Sequence, residues 1–82
     1  MKENFRENIA SRLRELRANK QFTLEKVSII SGVSKDKISR YENNKCSMQI
    51  EDLAKILNVY DINLDIFFEG IIAKTQKNNG QE

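Results

Sequence analysis

The chain has 82 residues, with no histidine, no proline and a single cysteine, Cys46. A disulfide within the chain is therefore excluded, Cys/His metal sites lack their ligands, and no histidine is present to activate Cys46 as a nucleophile. The formal net charge of +2 is unevenly placed: residues 1–46 carry 11 Lys/Arg against 6 Asp/Glu, or 11 − 6 = +5, and residues 47–82 carry 3 against 6, or 3 − 6 = −3.

A basic first half and an acidic second half suit a polyanion partner for one face only. No stretch approaches the length of a membrane span, and the N-terminal "MKENFRENIASRLREL" has no apolar signal core. A single small cytoplasmic domain is expected, without cofactor, metal or evident small-molecule ligand. So short a chain buries a modest core, which favours pairing with a second copy. No phosphate loop or paired-carboxylate site is visible, so no enzyme is read here.

Five helices are predicted in chain order. The first covers about Asn4 to Asn19, where Phe5, Ile9, Leu13 and Leu16 form one stripe. Thr23 caps a second, about Leu24 to Ser31. Its inner side is Leu24, Val27, Ser28 and Ser31; Ile30 flanks that side and Ile29 points away. Gly32 ends it, because a glycine takes the left-handed conformation without steric cost. Ser34 caps the third helix, about Lys35 to Asn43, and Val33 with Ile38 has the spacing of a hydrophobic staple.

The fourth helix covers about Ile50 to Asn58, with Ile50, Leu53, Ala54 and Leu57 on one face. The fifth covers about Leu64 to Ala73, with Leu64, Phe67, Phe68, Ile71 and Ile72 at i, i+3, i+4, i+7 and i+8. Residues 1–74 are read as the domain and residues 75–82 as a polar, disordered tail.

On a helical wheel the third helix divides cleanly. Ile38 and Tyr41 face the core with Val33. Lys35, Asp36, Ser39, Arg40 and Asn43 face the other way, with Lys37 and Asn44 at one edge and Glu42 near the core edge. A polar face is what most surface helices have. Here it follows another short helix across a glycine turn, within the basic half of the chain. Two helices so joined form a helix-turn-helix, whose second helix is sized for the DNA major groove.

The stretches "LRELR", "FTLEKVSIISGVSKDKISRYENNK" and "IEDLAKILNVYDINLDIFF" resemble the XRE/Cro-type helix-turn-helix family of phage and bacterial repressors, over about Leu13 to Phe68. Small members include phage Cro-like repressors and restriction–modification controller proteins. The resemblance implies an all-α, five-helix, lambda-repressor-like DNA-binding domain. It implies base reading by Lys35, Asp36, Lys37 and Arg40. Phosphate contacts fall to Thr23, Ser34, Asn43, Asn44 and Lys45, through side chains or backbone N–H groups. It also implies a partly buried salt bridge between Arg17 and Glu42. The family's usual glutamine after the Thr23 position is Leu24 here, a common proline is replaced by Met48, and Ile29 and Ile66 stand where polar residues are usual.

The residue chemistry agrees. Arg40 has a planar fork that can donate twice to guanine O6 and N7, and Lys35 can act there as a point charge. Asp36 has three readings: accepting from a cytosine amine, orienting Lys35 or Arg40, or complementing the helix dipole. One such helix reads few base pairs, so a homodimer on a two-fold DNA site is expected. Helix five is apolar nearly all round, and Ile66, Phe68, Ile71 and Ile72 are read as surplus to the core and hence as the dimer surface. A transcriptional regulator, acting as a repressor, is the leading reading. The alternative is a protein-interaction module of the same fold, an antitoxin or a repressor-binding partner.

Overall fold

The computed structural model describes the backbone of residues 2–79 and the side chains of residues 5–73. Five α-helices follow one another: α1 (Lys2–Lys20), α2 (Leu24–Ser31), α3 (Lys35–Glu42), α4 (Ile50–Val59) and α5 (Leu64–Asn79). Among the described residues there is no strand. No helix there is long and apolar enough to cross a membrane.

The starts follow the expected caps. Thr23 Oγ1 accepts from the Lys26 N–H at 3.0 Å and Ser34 Oγ from the Lys37 N–H at 3.2 Å. Gly32, at φ 83°, closes α2. Three other ends share one device. Gln21, Asn44 and Asp61 all take left-handed φ near 55–58°. The N–H of the next residue then reaches back five positions, as in Phe22 to the Arg17 carbonyl at 3.1 Å, Lys45 to Arg40 at 2.9 Å and Ile62 to Leu57 at 3.2 Å. These are Schellman ends. They stop α1, α3 and α4 without a glycine.

All five helices feed one core. Leu13 and Leu16 of α1 meet Val27, Ile38, Tyr41, Leu53, Ile56, Leu57, Tyr60, Phe67 and Ile71, with Val33 from the turn. Val33 and Ile38 are both fully enclosed, as the staple spacing requires.

Three sequence expectations need correction. Ile50 is exposed, and Ile56 takes its place in the core. Helical side chains lean toward the N-terminus, so a residue at the first position projects past the helix end. Ile71 is buried in the core and so is not part of an outward surplus; it lies one turn after Phe67, on the same inward face. Finally, α5 continues to Asn79, through residues 75–79 of the stretch read as tail. Lysine and glutamine are good helix formers, and no breaker intervenes before Gly80. Residues 80–82 lie outside the described residues.

Candidate nucleic-acid interface

The position of α3 is fixed from two sides by polar contacts that the apolar staple alone could not set. From α1, Arg17 grips Glu42 with a fork: Nε to Oε2 at 2.9 Å and Nη2 to Oε1 at 3.0 Å. Its Nη1 also donates to the Phe22 carbonyl at 3.0 Å. Glu42 is only 4% exposed, so this carboxylate requires its partner. The hydrogen bond to Glu42 holds the Arg17 guanidinium above its ordinary value, against the opposing effect of burial. Arg14 adds a donor to the Glu42 backbone carbonyl. The expected Arg17–Glu42 bridge is present in full.

From α4, the buried Asp52 accepts from the Tyr41 hydroxyl at 2.5 Å, and Lys37 Nζ lies 3.5 Å from the same carboxylate oxygen. The Tyr41 donation holds the Asp52 carboxyl below the usual carboxylate range, helped by the charges of Lys37 and Lys55 and opposed by burial. Burial first, and then the bond to Asp52, pushes the Tyr41 hydroxyl up to about 12. Sequence reasoning placed Tyr41 in the core but missed this network. Asp52 lies 11 and 15 positions from Tyr41 and Lys37, and only the approach of the start of α4 to α3 brings them together.

With its inner face so anchored, α3 turns Lys35, Asp36 and Arg40 outward, all exposed. Asp36 and Arg40 are joined, Oδ2 to Nη2 at 2.9 Å, one turn apart. That supports the orienting role for Asp36. Lys37 differs from this trio in its partner: its half-exposed side chain places the ammonium 3.5 Å from Asp52 of α4.

The expected phosphate residues divide by what their groups already do. Thr23 and Ser34 are exposed at the starts of α2 and α3, and their oxygens accept cap bonds. Each hydroxyl keeps its own proton to donate. The backbone N–H groups of Asn43, Asn44 and Lys45 are spent on the closing turn of α3, which removes the backbone route to phosphate there. Asn43 Nδ2 also donates to the Ser39 carbonyl at 2.8 Å. The exposed Lys45 ammonium is the remaining strong donor of that turn.

This is the two-helix arrangement expected from the sequence, with a polar outer face on the second helix. The family described as "Helix-turn-helix domain" matches residues 8–65, more than half of the chain. The chain belongs to that family. Its fold is shared by the clp gene regulator ClgR from Corynebacterium glutamicum, at 23% identity and a TM-score of 0.78, over 94% of this chain and 82% of that one. A mutant of the restriction–modification controller protein C.Esp1396I superposes with a TM-score of 0.75 at 22% identity, over 87% of this chain and 95% of that one. A second mutant gives 0.77 at 23%, over 89% and 92%. No curated protein sequence matches. The resemblance to XRE-type helix-turn-helix regulators and the five-helix, all-α fold both stand.

Members of this family bind DNA and regulate transcription. On α5, of the four residues read as a dimer surface, Ile66 and Ile72 are exposed. Phe68 is half-buried, stacked on Phe5 at 6.3 Å and edge-on to Phe67 at 5.4 Å. Ile71, as noted, belongs to the core.

Proposed function

We propose that this protein is a homodimeric, sequence-specific transcriptional repressor acting in the cytoplasm on a two-fold DNA site. The observation that carries the reading is the outward trio on a rigidly held α3. Arg40 and Lys35 project from a helix locked by Arg17–Glu42 on one side and Tyr41–Asp52 on the other. A reading helix needs such fixity, because a donor misplaced by an ångström cannot form a bidentate base contact. In this reading Lys35, Asp36 and Arg40 meet base edges. Thr23, Ser34 and Lys45 meet phosphates, which set register and give salt-dependent affinity. Asn43 and Asn44 shape the turn between them.

One α3 reads too few base pairs for useful specificity, and a second copy supplies the other half-site. Ile66, 57% exposed on α5, and Ile72 support dimerisation through this helix. A groove of about 270 Å³ between α1 and α5, lined by Ile62, Ile66 and Gly70 among others, gives a partner's side chains somewhere to enter. The exposed Ile29 and Ile30 of α2 favour a second reading, a protein-interaction module such as an antitoxin.

Selection of bound fragments from genomic DNA, followed by footprinting, tests the proposal. The expected result is a two-fold site with half-sites about one helical turn, roughly 34–36 Å, apart. Binding without sequence preference would overturn it in favour of the interaction module.

A further inference from the structure

We propose that Asp36 is a specificity-determining residue that acts through Arg40, holding its guanidinium for a base edge and keeping it from phosphates; this rests on the DNA-reading function above. The pair is 2.9 Å long and joins side chains that are 72% and 58% exposed. At such exposure an ion pair adds little to stability, so stability does not explain it. Asp36 is the one acid in a set of outward groups, Lys35, Arg40 and Lys45, that otherwise favours any polyanion. Placed in a groove, its carboxylate requires a donor, and Arg40 supplies it.

The chemistry makes this selective. Asp36 engages one guanidinium nitrogen, Nη2. The fork keeps further N–H donors for guanine O6 and N7. A guanine therefore meets Arg40 without displacing Asp36. A phosphate draws the guanidinium away and leaves the carboxylate unpaired beside the anionic backbone. The carboxylate itself accepts from an amino-bearing base, cytosine N4 or adenine N6, next to the guanine. Asp36 thus disfavours the wrong complexes more than it strengthens the right one, which is how specificity is often gained.

The test uses the full chain. Wild type, Asp36→Ala, Asp36→Asn, Arg40→Ala and the Asp36→Ala/Arg40→Ala double variant are titrated by fluorescence anisotropy. The probes are a duplex chosen by selection with wild type and a scrambled duplex, each across a salt series. In Asp36→Ala the affinity for scrambled DNA rises about two- to fivefold and its log–log salt slope steepens by about one. Its ratio of selected to scrambled affinity falls. Asp36→Asn, which keeps an acceptor but not the charge, shows the same steeper slope. In the Arg40→Ala background the substitution at Asp36 no longer changes the slope.

An unchanged ratio in Asp36→Ala, with wild type still showing sequence preference, overturns the role of Asp36 alone. A slope change that persists without Arg40 overturns the route through Arg40. A wild-type protein with no sequence preference overturns the DNA-reading function and this inference with it. Thermal unfolding of every variant confirms that the fold is retained.

Discussion

Replacing Arg17 by methionine is the sharpest probe of how α3 is held. Methionine keeps most of the aliphatic stem but removes the fork to Glu42 and the donor to the Phe22 carbonyl. Breaking a buried ion pair by removing one partner costs about 3–5 kcal/mol, because the other charge is left uncompensated. The Arg17 side chain is 26% exposed, so some water reaches the site; the lower end, about 3 kcal/mol, is expected. A domain of 82 residues has a total stability of about 4–12 kcal/mol. The loss is therefore a large share, and it lowers Tm by about 12–24 °C. Urea unfolding followed by helical circular dichroism at pH 7 measures it. Arg12→Met is the control, since it breaks only a surface pair with Glu15 and costs under about 0.5 kcal/mol. A cost for Arg17→Met as small as that of the control would refute the view that this bridge sets α3.

Other substitutions separate the remaining roles. Tyr41→Phe removes the hydroxyl donor and leaves Asp52 with the charges of Lys37 and Lys55, at a cost of about 1–3 kcal/mol at pH 7. Because the folded Asp52 carboxyl titrates below its ordinary 3.8, its stabilisation is complete above that pH and is lost as pH falls through the depressed value. The gap between wild type and Tyr41→Phe in urea unfolding therefore narrows below about pH 4; a gap constant with pH would contradict the assignment. Lys45→Ala weakens binding to every duplex alike and lowers the salt slope by about one in anisotropy titrations, with an unaltered slope removing it from the phosphate contacts. Ile66→Asp, at an exposed position, leaves the fold intact and yields monomers by light scattering; a persistent dimer would move the interface off α5.

Much of this structure is legible in local chemistry. Thr23, Ser34 and Gly32 mark the borders of α2 and α3 because caps and left-handed turns depend on neighbours within a few residues. The division of α3 into Ile38 and Tyr41 inside, Asp36 and Arg40 outside, follows from the helical period. The Arg17–Glu42 bridge came from the family resemblance and is present as implied. What the sequence hid depends on distant partners. Asp52 meets Tyr41 and Lys37 only because the first turn of α4 comes beside α3, so the sequence shows no sign of the contact. Ile71 read as surface because a helix apolar on nearly every side does not declare which positions α1 covers. The glycine-free ends at Gln21, Asn44 and Asp61 were invisible because residue type alone does not announce a left-handed turn. The left-handed turn at Asn44 engages the N–H groups of Asn43, Asn44 and Lys45, which leaves their side chains as the donors of that turn.

The central claim is that α3 reads sequence through Arg40, and selection of duplexes from a random pool by wild type and Arg40→Ala tests it most directly. Arg40 packs no core, so the variant folds as wild type does by circular dichroism. Wild type should enrich a defined half-site containing guanine, and Arg40→Ala should lose the preference at that guanine while keeping weak, salt-sensitive binding. Enrichment of the same sequence by both proteins would contradict the claim.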